Sequence, residues 1–173
     1  MLRRGALLLL TAVLGVALVA PPASAEPEGG PGRPHPPRFP TGGTFEGTGS
    51  YELGTVCPFA WEVIHGTFDG SRRPGDDGTF TLDYCVGFDL ATLTGSFGVT
   101  TASGVTLSGT AAGSLDLIGS EPPGSPFEFT LTVTGSSGTR RPVTGTISLT
   151  GLRTEPGGGR SAVTGTFTTA LRM

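Results

Sequence analysis

Two side chains in this sequence have the type and position to carry acid–base chemistry inside a folded core. His65 is the one histidine outside the Pro-rich N-terminal stretch, and Glu62 precedes it in the apolar run Phe59–Ile64. Histidine is a common general base near neutral pH, and a carboxylate shielded from water can take the same role. Either residue can act only if its side chain points into the fold, so the elements that orient them decide the chemistry.

A five-residue pattern repeats along the chain and indicates β-strands. Each copy reads apolar, polar, Gly, Thr or Ser, then small or apolar, and the copies are Ile64–Phe68, Leu93–Phe97, Leu107–Ala111, Val143–Ile147 and Val163–Phe167. Apolar residues and Gly alternate with polar residues, which is the side-chain period of a strand. Because Gly weakens a strand, its recurrence on the apolar face predicts a strongly curved sheet in which small residues make room for large ones.

The same pattern predicts which side chains point inward. His65 occupies the polar position of its copy, so we expect it on the surface. Counting by twos from the apolar positions directs Glu62, Tyr51 and Tyr84 inward, where they would line the polar end of a cavity. The alternative is that Glu62 lies at the wet rim of its strand, or that a bulge just before it reverses its direction.

Counting by twos also assigns an inward or outward direction to other side chains in the predicted strands. The carboxylates predicted to face outward are Glu46, Glu52, Asp83, Asp116 and Glu128. Phe59, Trp61 and Val63 have two interpretations. They form an exposed patch for a carbohydrate, lipid or partner protein, or they are core residues beneath a second sheet, and the core interpretation is preferred.

The strand-like runs predict an all-β fold. No stretch has apolar residues at helical spacing, and Gly interrupts every window. The predicted strands are 44–53, 60–68, 79–88, 92–101, 105–117, a sixth centred on Phe127–Thr134, 143–150 and 161–171. Eight strands joined by short loops predict a single antiparallel eight-stranded barrel with meander order, and a β-sandwich is the alternative. The glycines on the inner face favour the barrel.

The chain divides into three predicted segments. Residues 1–25 have a basic start, an apolar run and the small-residue site Ala23-Ser24-Ala25, which is typical of a secretory signal peptide. Residues 26–43 are rich in Pro and Gly and are predicted to be a disordered linker. Residues 44–173 form the barrel domain. We therefore expect a secreted, extracellular protein with no membrane span once the signal peptide is removed.

The two cysteines, Cys57 and Cys85, are predicted to form a disulfide, because free thiols do not persist in an oxidising compartment. Two free thiols are the alternative. No metal site is expected, since two cysteines and one domain histidine are too few ligands.

Charge and motifs exclude several function classes. Removing the signal peptide changes the formal charge from −3 to −5, because Arg3 and Arg4 leave with it. A mildly acidic protein without a basic cluster is not expected to bind nucleic acid. There is no Gly-x-Ser-x-Gly elbow, phosphate-binding loop or His-Glu-x-x-His motif, so neither a catalytic residue nor a cofactor is predicted.

Two stretches resemble a known group of barrels. They are Ala102–Thr110 (ASGVTLSGT) and Leu131–Thr139 (LTVTGSSGT), in which an apolar strand runs into a turn rich in Gly and Thr. In these stretches the chain is similar to uncharacterised exported bacterial β-proteins that resemble the allene oxide cyclase and dirigent-like barrel group. It keeps the turn glycines Gly135 and Gly138, but Arg140–Pro142 stands where that group has an aromatic residue. The resemblance implies an eight-stranded barrel and assigns no catalytic residue.

These observations predict a secreted, non-catalytic barrel that serves as a binding or surface module. Its partner would be a small apolar ligand or a cell-surface component. The alternative is a cavity enzyme, similar to an isomerase or cyclase, which shapes a small apolar substrate with few reactive groups. A weaker interpretation is a protein that self-associates through exposed strand edges.

Overall fold

A computed structural model describes residues 39–54, 56–70, 76–117 and 124–173. Within these ranges the chain forms eight β-strands and no helix. The strands are β1 (Gly42–Leu53), β2 (Ala60–Gly70), β3 (Gly78–Val86), β4 (Thr92–Thr101), β5 (Thr106–Leu115), β6 (Ser125–Ser137), β7 (Thr144–Gly157) and β8 (Arg160–Arg172). The predicted signal peptide and residues 26–38 of the predicted linker lie outside the described ranges.

The eight strands close into one barrel. Each strand pairs antiparallel with the next one along the chain, and β8 pairs with β1. The predicted meander barrel is therefore confirmed, and the two-sheet sandwich is not formed. Closure leaves none of the described strands with a free edge, so pairing through exposed edges has no support in this fold. We call the end that carries the β1–β2, β3–β4, β5–β6 and β7–β8 connections the disulfide end.

The strand bounds follow the alternation closely, and three of the differences affect which residues belong to the barrel. β3 ends at Val86, because the chain turns at Gly87, and Phe88 is exposed rather than inward. β7 continues to Gly157 where a loop was expected. The barrel also begins earlier than residue 44: the Phe39 ring packs 5.8 Å from that of Phe68, which draws the end of the predicted linker onto the barrel.

The lumen is filled by apolar side chains from all eight strands. The inward positions carry the buried core, in which six aromatic ring pairs lie 5.1–6.1 Å apart, centroid to centroid. Glycines on the inner face leave the space for these rings. A Cβ on Gly66 would come within 2.5 Å of the Phe80 ring, and one on Gly165 within 2.8 Å of the Phe45 ring. The repeated Gly therefore allows large side chains to pack in the interior of a small barrel.

A disulfide joins Cys57 to Cys85, as predicted. Their Cα atoms are 5.3 Å apart, which is an ordinary separation for a disulfide. The bond joins the β1–β2 connection to the C-terminal end of β3. A buried disulfide of this kind is compatible with an extracellular protein. Among the described residues, no helix is long and apolar enough to cross a membrane.

Candidate functional site

Glu62 and Tyr84 meet inside the barrel near the disulfide end. They are paired residues of β2 and β3, and strand alternation turns both side chains inward with the apolar residues on either side. Glu62 is 1% exposed, and the Tyr84 hydroxyl donates a 2.7 Å hydrogen bond to its Oε2 atom. Glu62 therefore points inward, and the bulge that would have reversed it does not occur.

Arg153 reaches Glu62 from β7, across the lumen. Its Nε–H donates to Glu62 Oε2 at 2.9 Å and to Oε1 at 3.2 Å. Arg153 is buried because β7 keeps its alternation beyond Leu149, so position 153 points inward like position 149. Two buried charges are tolerated only when each is paired and hydrogen-bonded, and here each supplies the partner of the other.

The cluster continues outward to the solvent. Arg153 Nη1 donates to Glu155 Oε1 at 2.6 Å, and the Glu155 side chain is 47% exposed. The Tyr51 hydroxyl donates to Glu155 Oε2 at 3.4 Å, and the guanidinium carbon of Arg153 lies 5.3 Å from the centre of the Tyr51 ring. Tyr51 is half-buried, so it stands at the mouth of the lumen rather than inside it. We call Glu62, Tyr84, Arg153, Glu155 and Tyr51 the polar plug.

Electrostatics keep two members of the polar plug, Tyr84 and Arg153, protonated. Burial raises the pKa of the Tyr84 hydroxyl well above its usual range, and the neighbouring Glu62 carboxylate adds to this effect. Burial alone would lower the pKa of Arg153. The attraction of Glu62 and the hydrogen bond to Glu155 outweigh burial, so the pKa of Arg153 is raised and it stays a cation. The plug therefore holds a neutral phenol and a permanent guanidinium cation.

Among the described residues, one buried hydroxyl at this end of the barrel has no hydrogen-bond partner. Ser161, on β8, is 1% exposed, and within the described residues no group hydrogen-bonds its Oγ atom. A buried hydroxyl without a partner costs free energy rather than contributing it. Its pairing partner on β1 is Gly49, and a Cβ built on that glycine would come within 3.0 Å of the Ser161 Oγ atom.

One gap between core side chains of the described residues is small and lies away from the polar plug. It measures about 30 Å³ and is lined by apolar side chains that include Phe45, Phe80 and Phe97, with none of the plug residues among them. This volume holds about one water molecule, whereas sites for small organic ligands need roughly ten times more. Glu62 bonds to both Tyr84 and Arg153, and neither Glu62 nor Tyr84 lines this space.

The remaining predicted positions lie on the outer wall. His65 is exposed, with its Nδ1 atom 3.2 Å from the Thr81 hydroxyl. Trp61 and Val63 also face outward and are partly covered by their neighbours, so the interpretation of them as core beneath a second sheet is wrong. The Trp61 ring is oriented by a 2.7 Å hydrogen bond from its Nε1 to Asp83 Oδ1. The carboxylates predicted to face outward are all exposed: Glu46, Glu52, Asp83, Asp116 and Glu128.

Sequence reasoning missed Arg153, Glu155 and Ser161. Extending the alternation of β7 from Ile147 through Leu149 would have placed Arg153 inside, but Pro156 and the glycines after it suggested that the strand ended earlier. Within the described residues, no group of three or more histidine, cysteine, aspartate or glutamate side chains is arranged to hold a metal ion. No protein-family model, no curated protein and no solved structure matches this chain.

Proposed function

We propose that this protein is an exported, non-catalytic binding module that contacts its partner through its outer surface. The filled lumen carries the proposal. Side chains occupy the interior, the gap between them is about 30 Å³, and the buried carboxylate is already bonded to Tyr84 and Arg153. This small volume supports binding of a partner at the outer surface rather than deep in the lumen.

The alternative, a cavity enzyme similar to an isomerase or cyclase, needs both room and a free reactive group. Both oxygens of Glu62 accept hydrogen bonds, and Tyr84 directs its proton at Glu62. A general base must have a lone pair within reach of the substrate proton. This arrangement favours a structural role for the plug, and the resemblance to the allene oxide cyclase and dirigent-like group extends in our proposal to the barrel architecture alone.

Export is part of the proposal. It is supported by the basic and apolar N-terminal segment with its small-residue cleavage site, and by the disulfide between Cys57 and Cys85. The test is to express the full chain and to determine the N-terminus of the product in the culture medium by mass spectrometry. We expect it to begin at Glu26. Retention of the uncleaved chain inside the cell would contradict export.

The interior is tested with apolar ligands. We propose to titrate the disulfide-bonded protein with cis-parinaric acid and with farnesol in a calorimeter, and we expect no saturable binding. Ala111 faces the lumen and Ala112 faces the solvent, so they form a matched pair of sites. Saturable binding that is lost in Ala111→Leu and kept in Ala112→Leu would place the ligand in the lumen and overturn the proposal.

A further inference from the structure

Four large apolar side chains are exposed together at the disulfide end of the barrel. Leu53 is 61% exposed, Val56 79% and Phe88 82%, and Phe59 is also exposed. Leu53 ends β1, Val56 and Phe59 lie in the β1–β2 connection and Phe88 lies in the β3–β4 connection; we call these four residues the apolar tip. Exposed apolar residues scattered singly need no explanation, but a group of them at one end of a small protein marks an interaction site.

Described residues of the β1–β2 connection are anchored by a disulfide and by backbone hydrogen bonds. Cys57 is bonded to Cys85, and the Phe59 N–H donates to the Val86 carbonyl at 3.1 Å. The connection is also closed on itself, since the Gly54 N–H donates to the Phe59 carbonyl at 2.9 Å. Side chains already fill the lumen beneath the connection, so these apolar side chains cannot be buried there. The disulfide and the Phe59–Val86 hydrogen bond anchor the described backbone near them to β3.

The β3–β4 turn is also pre-organised. Asp89 accepts hydrogen bonds from the backbone N–H groups of Ala91 at 3.1 Å and Thr92 at 2.9 Å. Leu90 has a φ of 57°, the one positive value at a non-glycine residue in the described part of the chain. That conformation costs roughly 1 kcal/mol or more and persists only where the surroundings impose it. The same turn therefore contains a strained residue, Leu90, and the exposed side chain of Phe88.

Two carboxylates adjoin the apolar tip along the chain. Glu52 directly precedes its first residue and Asp89 directly follows its last, whereas Glu155 at the same end of the barrel is paired with Arg153. Hydrogen bonds from the Thr92 side chain and backbone lower the pKa of Asp89 to about 2, so it is ionised at any ordinary pH. Arg160 is an exposed cation in the β7–β8 hairpin, and the acidic side chains outnumber it.

We propose that the apolar tip docks a protein partner whose contact surface presents apolar side chains flanked by Lys or Arg. This inference rests on the proposed function and names the surface and the partner class. Aromatic side chains held by a well-ordered loop are commonly at the centre of a protein interface. The carboxylates of Glu52 and Asp89 beside the tip favour a partner surface that carries Lys or Arg around its apolar contact. A lipid surface fits less well, because insertion of the tip would push ionised Asp89 into the headgroup layer and an anionic membrane would repel these carboxylates.

The inference is tested with short random peptides displayed on phage and selected on the disulfide-bonded protein. We expect the selected peptides to combine apolar residues with Lys or Arg and to bind more weakly as the salt concentration is raised. Their affinity should fall roughly tenfold or more in the Val56→Ser/Phe88→Ser variant. Leu152→Ser is the matched control, because Leu152 is apolar and exposed on the outer wall and lies outside the tip. It should leave the affinity unchanged.

Folding and binding are separated by measuring the thermal unfolding midpoint of each variant. Both tip residues are exposed, so the midpoint should stay close to that of the wild type. If the peptides bind the tip variant as tightly as the wild type, the tip is not their binding site. That result would contradict this inference but not the proposed binding at the outer surface. Failure to enrich any peptide, or enrichment of acidic ones, would also overturn the inference.

A lipid control completes the test. The protein is sedimented with vesicles of phosphatidylcholine and with vesicles that also contain phosphatidylglycerol, and we expect it to remain in the supernatant. Cosedimentation that is lost in Val56→Ser/Phe88→Ser would assign the tip to a membrane and overturn the protein partner. Saturable uptake of cis-parinaric acid by the lumen is a separate outcome that contradicts the proposed function itself.

Discussion

Glu62 and Arg153 are 91 residues apart in the chain, yet the Arg153 Nε–H donates to both carboxylate oxygens of Glu62 inside the barrel. The pair connects β2 and β7, which are not neighbours in the sheet. Both side chains are almost fully buried, so each depends on the other for compensation of its charge. This bond closes the disulfide end of the lumen.

Removing one partner of this pair should destabilise the protein strongly. Arg153→Met leaves the Glu62 carboxylate buried without its cation, and we expect the free energy of unfolding to fall by about 3–5 kcal/mol. In a double-mutant cycle with Glu62→Gln, the double variant should lose less than the sum of the two single losses. Urea unfolding followed by the fluorescence of the single tryptophan, Trp61, measures these values.

The control for the ion pair is Glu128→Gln on the outer wall. Its carboxylate is exposed, so the expected change is within about 0.5 kcal/mol. A loss below about 1 kcal/mol for Arg153→Met, or strict additivity in the cycle, would contradict the mutual dependence of Glu62 and Arg153.

Stability should fall at high pH because of Tyr84. Its pKa is raised in the folded state, whereas a tyrosine of the unfolded chain ionises near its ordinary value of about 10. Below that pH the unfolded state keeps the proton and the stabilisation is complete. Above it the unfolded state releases a proton that the folded state retains, so the free energy of unfolding falls by up to about 1.4 kcal/mol per pH unit. Unfolding in urea at a series of pH values from neutral to above 10 measures this slope.

Tyr84→Phe should remove that part of the alkaline slope. The variant keeps the ring that packs against Phe129 and loses only the hydroxyl, so its curve should be flatter than that of the wild type. Parallel curves for the two proteins would show that the Tyr84 proton is not linked to folding.

Loss of the disulfide should destabilise the fold without changing its architecture. Cys57 and Cys85 are 28 residues apart, and closing a loop of that size contributes about 3–4 kcal/mol in the chain-entropy account. We expect a loss of that order for Cys57→Ser/Cys85→Ser, measured by urea unfolding under oxidising conditions. As a control, a reducing agent should lower the stability of the wild type and leave the variant unchanged. Equal stability of wild type and variant would argue against a stabilising role for the bond.

Two glycines of β4 should respond in opposite ways to the same substitution. A Cβ on Gly95 would collide with the Asp83 carbonyl oxygen and approach the Tyr84 Cβ at 2.7 Å, so Gly95→Ala should cost about 1–3 kcal/mol. Gly98 faces open space and has nothing within 4 Å of a built Cβ. Gly98→Ala should therefore raise the free energy of unfolding by about 0.4–1 kcal/mol, because alanine lowers the conformational entropy of the unfolded chain. Equal effects at the two sites would contradict the packing role of the inward glycine.

Removal of the Ser161 hydroxyl should be harmless or favourable. It is buried, and no group in the described part of the chain bonds to it, so Ser161→Ala is expected to raise the unfolding free energy by roughly 1 kcal/mol. Ser148→Ala, at an exposed position of β7, is the reference and should change little. A loss of more than about 1 kcal/mol in Ser161→Ala would mean that the hydroxyl has a stabilising partner.

Sequence alternation predicted most of the strands because it is a local property. Period 2 sets the direction of a side chain from its nearest neighbours, and this was enough to point Glu62 and Tyr84 inward and His65 outward. It was weaker at strand ends, where turn chemistry competes. Phe88 continued the pattern of β3 by type, yet the turn at Gly87 carries it into the solvent.

The sequence by itself determined an all-β chain, the facing of most side chains within the predicted strands and the pairing of its two cysteines. Each of these follows from the local period of residues or from a count. Only the tertiary structure decided that Arg153 meets Glu62, that the lumen is filled and that the apolar tip forms at one end. Those features depend on the register with which β8 closes on β1, and closure brings together residues that no local pattern relates.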